Sequence, residues 1–255
     1  LDGVPRYPQH DIPRMASLMG VPYSGQFEGK LMWVHHTHDN SLWPPEGIIY
    51  EGAVRAAQGE AAVSDKFRLR WTENAEHVPP FILPTAYGRS ANTWLIDYTP
   101  IIEQSLADLT AWVEDGIEPA GTAYEYDGRE GRVTLPPTAA ERGGIQPVVH
   151  VTANGGQRAD VAVGETVTLE VVAESPSGAG GIVEIAWDLD GAGGFPTKAE
   201  GIDGSASRVV SSTTHAYDAP GTYYATALVH SHRDGDVKAT ARRLPNLAQA
   251  RVVVT

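Results

Sequence analysis

The feature that most constrains this chain is a change of hydrophobic period near residue 145. Upstream, apolar residues recur at helical spacing between short apolar runs; downstream, short segments alternate apolar and polar residues. A pattern of period 3.6 and one of period 2 bury their apolar side chains in different ways, and a chain of 255 residues is long for one domain. We therefore read two units, residues 1–145 and residues 146–255. Between them PPTAAERGGIQP (136–147) has the Pro, Gly and polar content of a linker.

In the first unit GKLMWVHH is apolar on both faces, as a buried parallel strand is. The stretch PEGIIYEGAVRAAQGE follows, with Ile48, Ile49, Ala53, Ala56 and Ala57 at helical spacing. In KFRLRWT, Phe67, Leu69 and Trp71 alternate with Lys66, Arg68 and Arg70, which predicts a second strand. Residues 78–100 are proline-rich and irregular, and IIEQSLADLTAWVEDG then aligns Ile102, Leu106, Leu109 and Val113 on one stripe before Gly116. Strand, helix, strand, loop, helix is the order of an α/β sheet. So few elements leave a parallel sheet uncovered, so this unit is expected to be the end of a larger one. The second unit offers ETVTLEVVAE, GIVEIAWDLD, RVVSSTTHAY, GTYYATALVH and QARVVVT, separated by Gly, Asp and Pro turns, which predicts a β-sandwich of about a hundred residues.

Charge narrows the partners. A formal net charge of -13 repels phosphate backbones and anionic membranes, so nucleic acid is not expected. No apolar run reaches the length of a membrane span. With no cysteine, disulfides and thiolate chemistry are excluded. A start at Leu1 rather than Met suggests a piece of something longer.

Reactive groups in open α/β sheets lie just beyond the carboxyl ends of strands. Asp39 follows the first strand and His77 the second, so both loops belong to one sheet edge. A carboxylate that accepts from one imidazole nitrogen orients the ring and stabilises imidazolium, while the other nitrogen serves as base and then acid toward a hydroxyl nucleophile. The competing reading of HHTHD is a metal site built on His36, His38 and Asp39; no second histidine cluster completes it in this unit, and no metal or cofactor is expected. His35, His36 and His38 are otherwise packing and hydrogen-bonding residues around the acid loop. Trp43 and Trp94, with Phe81 and Tyr87, are candidates to wall an apolar substrate pocket.

The stretches FEGKLMWVHHTHDNSLWPPEGIIYEGAVRAAQG, DKFRLRWTENAEHVPP and LADLTAWVEDGIEPAG resemble the C-terminal third of α/β-hydrolases of the tannase and feruloyl-esterase kind over roughly residues 27–130. The resemblance implies that Asp39 is the triad acid and His77 the triad base. Those enzymes usually follow the histidine with a cysteine, where this chain has Val78. From about residue 148, VAVGETVTLEV, IVEIAWDLDGAGGF, TTHAYDAPGTYYATALV and ARVVVT resemble a polycystic-kidney-disease-type (PKD) repeat, an immunoglobulin-like sandwich with Trp187 in its core. In DLDGAGGF, Ala192 stands where a calcium loop would place a third oxygen ligand, so Asp188 and Asp190 are read as turn residues.

Hydrolases of this fold run serine, acid, histidine, with the serine on a G-x-S-x-G elbow. Only Ser17 and Ser24 precede Asp39, neither on an elbow. The expectation is thus a secreted, extracellular or cell-surface serine hydrolase of small-molecule or polymeric carboxylic esters. Its nucleophile lies on an N-terminal hydrolase segment, either a separate chain after processing, giving a heterodimer, or sequence truncated away. The alternative is a non-catalytic surface or adhesion protein that keeps a degenerate hydrolase fold.

Overall fold

The computed structural model describes residues 23–86 and 88–255. The first unit holds two parallel strands, β1 (Leu31–His36) and β2 (Phe67–Thr72), joined by α1 (Pro45–Gln58) and α2 (Glu60–Lys66). A crossover of this kind is what parallel neighbours require. One sheet face carries Leu31, Trp33, Phe67, Leu69 and Trp71, which pack with Val54 and Ala62 of the crossover helices. Gly47 permits that approach: a Cβ there would stand 3.1 Å from His35 Nδ1 and 3.1 Å from Leu69 Cδ1.

The other face meets α3 (Thr99–Glu114), and here the expected orientation is reversed. Ile101, Gln104, Ser105, Asp108 and Trp112 are the buried residues of α3, whereas Ile102, Leu106 and Val113 are 41%, 63% and 61% exposed. The reason lies in β2. Arg70, read as an outward residue of an alternating strand, is 1% exposed. Its guanidinium donates to Ser105 Oγ at 2.8 Å, to Asp108 Oδ2 at 3.0 Å and to the carbonyl of Ala120 at 3.0 Å. A buried charge demands a paired, hydrogen-bonded partner, and that demand selects the polar flank of α3 over the apolar one.

A short hairpin of β3 (Glu125–Asp127) and β4 (Arg132–Thr134) follows, then α4 (Ala139–Arg142). The segment 136–147, of linker composition, is in fact packed. Thr138 caps α4 by accepting from the Glu141 amide at 3.3 Å, and its hydroxyl donates to Glu141 Oε2 at 2.7 Å. Ala139, Arg142, Ile145 and Gln146 are all buried. Gln146 accepts from the Glu73 amide at 2.8 Å and donates to the carbonyls of Glu73 and Pro245, tying both units together.

The second unit is a β-sandwich. A three-stranded sheet ordered β10 (Arg208–Ala216), β7 (Thr166–Glu174), β5 (Val148–Ala153) faces a five-stranded sheet. The latter runs β6 (Arg158–Val161), β12 (Leu244–Val254), β11 (Gly221–His232), β8 (Gly181–Asp188), β9 (Thr197–Lys198). β7 buries every second residue, Val167, Leu169, Val171 and Ala173, against Trp187, Ala225, Ala227 and Val252. A second apolar cluster belongs to neither unit alone: Ala75, Ile96, Ile101 and Ile145 pack with Ala179, Leu244 and Leu247.

Candidate active site

β1 ends at His36 and β2 at Thr72, side by side because the strands are parallel and in register (His36 opposite Thr72). The loops beyond them stay together. The Thr37 amide donates to the Thr72 carbonyl at 2.9 Å, and the His38 amide to the Ala75 carbonyl at 3.0 Å. The chain after β2 turns at Asn74, whose φ of 57° is left-handed, a conformation that asparagine tolerates better than most residues. Asn74 Nδ2 donates to Asn246 Oδ1 and to the Leu247 carbonyl, both at 2.9 Å, so the sandwich anchors this turn.

These constraints bring Asp39 and His77 into contact: His77 Nδ1 lies 3.3 Å from Asp39 Oδ2. The two side chains differ in exposure, 6% for Asp39 and 44% for His77. The other carboxylate oxygen, Oδ1, accepts from the Ser41 amide at 2.9 Å and the Leu42 amide at 2.7 Å. Burial alone would raise the Asp39 pKa, but the Leu42 and Ser41 amides and the His77 ring outweigh it and hold the carboxyl below its usual range. Asp39 is therefore an anion at neutral pH, aimed at one imidazole nitrogen. When Nδ1 carries the proton, Nε2 is the basic nitrogen of a ring left partly open to solvent.

The neighbouring histidines hold the loop. His35 Nδ1 accepts from Trp33 Nε1 at 2.8 Å, which leaves Nε2–H to donate to the Leu42 carbonyl at 3.1 Å. Asp39 and His35 thus grip Leu42 by its amide and its carbonyl. Burial lowers the His35 pKa and brings that of His36 to about 4, so both rings are neutral at pH 7. The His36 and Tyr98 rings pack at a tilt of 36°, with centroids 4.1 Å apart. Tyr98, which pattern reading passes over, donates its hydroxyl to the His77 carbonyl at 2.8 Å and fixes the backbone of His77. Its position, twenty-one residues past His77 in an irregular segment, carries no periodic signal.

Trp33, Val34, Leu42 and Tyr98 wall an open cleft of about 220 Å³ around the pair, with His35 and His36 behind. Among the described residues no serine, threonine or cysteine lines it. Trp43 and Trp94, expected in this wall, are not among its lining residues. Trp43 is 68% exposed on the loop before α1, and Trp94 lines a different cleft against the sandwich. Phe81 is likewise exposed, at 73%, and Tyr87 lies outside the described residues. Among the described residues no group of three or more His, Cys, Asp or Glu is placed to hold a metal ion. In the β8–β9 turn Asp188 Oδ1 accepts from the Gly191 amide at 2.6 Å, and Asp190 Oδ1 from the Ala192 amide at 2.9 Å.

No protein-family model and no curated protein sequence matches the chain. Among solved structures it is similar to the CARDB domain of a Pyrococcus furiosus protein, crystallised in complex with di-metal ions, at 17% identity and a TM-score of 0.32 over 43% of this chain and 88% of that one. A solution structure of that CARDB domain aligns at 19% identity and a TM-score of 0.31, over 43% of this chain and 96% of that one. The PKD domain of an M14-like peptidase from a Thermoplasmatales archaeon aligns at 19% identity and a TM-score of 0.29, over 42% of this chain and 91% of that one.

Proposed function

We propose that this chain is the acid-and-base portion of a secreted serine hydrolase of carboxylic esters, followed by a PKD-type module. What carries the reading is the Asp39–His77 contact of 3.3 Å at the carboxyl edge of parallel strands, with the carboxylate buried and the imidazole open. A carboxylate at Nδ1 sets the tautomer in which Nε2 takes a proton from a nucleophile and returns it to the leaving alcohol. Among the described residues no serine, threonine or cysteine lines the cleft, and the one lining hydroxyl, that of Tyr98, donates to the His77 carbonyl, so the serine and its oxyanion donors are assigned to an upstream hydrolase segment.

Two surfaces fit such a segment. Among the described residues β1 is paired on one side only, with β2, whose far edge is occupied by Thr122. On α3, at about 100° per residue, Ile102, Leu106, Leu109 and Val113 lie on the flank turned away from Asp108 and Ala111, which face the sandwich. A strand edge and an apolar helix flank together make the kind of surface that a continuing sheet and its helix bury.

The reading is tested on the complete protein with a chromogenic short-chain ester. Asp39→Asn is expected to lower kcat by roughly three to four orders of magnitude by favouring the wrong tautomer, and His77→Ala to remove turnover. Equal turnover in wild type and His77→Ala would remove the hydrolase reading and leave a non-catalytic surface protein.

A further inference from the structure

A second cleft, of about 590 Å³, lies between the stretch around Arg89 and Trp94 and the sandwich. Its walls are tied to one another by hydrogen bonds and close packing. The Ser90 amide donates to the Gly191 carbonyl at 2.9 Å, and Asn92 Nδ2 donates to the Gly193 carbonyl at 2.7 Å. Gly193, at φ 79°, sits so close that a Cβ there would lie 2.0 Å from Asn92 Oδ1, which only glycine accommodates. Tyr223 stacks on buried Tyr217 at 4.1 Å, and its hydroxyl donates to the Ala219 carbonyl at 3.0 Å.

The lining pairs aromatic faces with polar edges. Trp94, Tyr223 and Tyr224 are each partly exposed there, and Asp190, Thr222 and Gln249 stand beside them. The Arg89 guanidinium is held over the Tyr224 ring at 4.4 Å and the Trp94 ring at 5.3 Å, and Nη2 donates to Gln249 Oε1 at 2.9 Å. Arg89 forms no ion pair among the described residues, and neither does Asp190, whose Oδ1 accepts only a turn amide. Donor and acceptor thus face the same space with unused capacity.

From this arrangement we infer that the cleft binds a neutral pyranose unit of a polysaccharide. Such a ring presents an apolar C–H face to Trp94 or Tyr224, with hydroxyls around its rim that donate to the Asp190 carboxylate and accept from Arg89. A purely aromatic ligand brings no donor for Asp190, and a polyanion meets both that carboxylate and a net charge of -13. The site is separate from the Asp39–His77 cleft and shares no lining residue with it, so it stands or falls independently of the hydrolase reading.

The test is affinity electrophoresis of the full chain through native gels containing hydroxyethylcellulose, xylan, galactomannan or polygalacturonate, with isothermal titration of the matching hexasaccharide. Retardation is expected in at least one neutral polysaccharide. The affinity should fall roughly tenfold or more, the factor carried by 1.4 kcal/mol, in Trp94→Ala and in Asp190→Ala. It should not change in Val210→Ala, which is exposed on β10 in the three-stranded sheet and outside the cleft. If Trp94→Ala does not fold, Asp190→Ala decides, because Asp190 sits on an exposed turn. No retardation by any neutral polysaccharide, binding to polygalacturonate alone, or binding undiminished in Asp190→Ala overturns the inference.

Discussion

Replacing Asp108 by alanine separates the two possible orientations of α3. In the structure Asp108 accepts from Arg70 Nη2 at 3.0 Å, from Gln104 Nε2 at 2.9 Å and from Arg233. Its side chain is 5% exposed and that of Arg70 1%, whereas Arg233 is 39% exposed and can turn to water. Removing the carboxylate leaves a buried guanidinium without its counter-charge, a loss of about 3–5 kcal/mol. For a chain of this size that lowers Tm by roughly 6–20 °C, at 2–4 °C per kcal/mol. In this chain by itself, Leu106→Ser, on the flank that periodicity alone turns inward, should cost about 0.5 kcal/mol or less, because Leu106 is 63% exposed. Combining Arg70→Met with Asp108→Leu should recover most of the loss, since a well-packed apolar pair replaces the ion pair. Circular dichroism melts of the variants check this. A larger loss in Leu106→Ser than in Asp108→Ala would refute the packing described for α3.

Stability should fall on acidification through His36 and His230. Each has a folded pKa brought to about 4, chiefly by burial, so the unfolded chain binds the proton first. The contribution is complete above the usual value near 6.5 and fades as pH drops toward 4. At 1.36 kcal/mol per pH unit it amounts to about 3 kcal/mol for His36; denaturant midpoints that stay flat between those values would contradict it. Lowered in the same sense, Asp39 adds a further loss at more acidic pH. Asn246→Ala should cost about 1–3 kcal/mol, as Asn246 is fully buried and bonds Asn74, Glu73 and the Pro147 carbonyl. Because Asn246 links the two units, far-ultraviolet and tryptophan signals should report one coincident transition in the wild type; two separated transitions would mean the shared cluster of Ile101, Ile145 and Leu244 does not couple them.

Much of the scaffold is legible in the residues. The runs LMWVHH and FRLRWT are β1 and β2, and the Ile48–Ala57 spacing marks α1. The adjacency of Asp39 and His77 also follows from order alone, since parallel neighbours end at one edge. What period and composition do not carry is where a charge goes. Arg70 occupies an outward-looking slot in an alternating strand, yet a distant aspartate and serine make its burial favourable. That choice inverts the inner face of α3. In the same way PPTAAERGGIQP looks like a spacer because Pro and Gly serve tight packing as readily as flexibility; only contacts with Glu73 and Pro245 distinguish the two. Tyr98 bonds the His77 carbonyl directly, and Asn74 anchors the turn before His77 through two hydrogen bonds to β12; both act from non-repeating positions, which no periodicity encodes. Trp94 fails as a pocket wall for the pair because Arg89 stacks over its ring beside the sandwich instead.

On the proposed function, Asp39 and His77 act on a serine supplied from outside the described residues. Labelling the native protein with a fluorophosphonate and mapping the adduct by peptide mass spectrometry tests it most directly. An adduct is expected on a serine of an upstream hydrolase segment, covalently continuous with this chain or co-purifying with it, and labelling should collapse in His77→Ala. An adduct on a serine within residues 23–255, labelling undiminished in His77→Ala, or no adduct at all would contradict it.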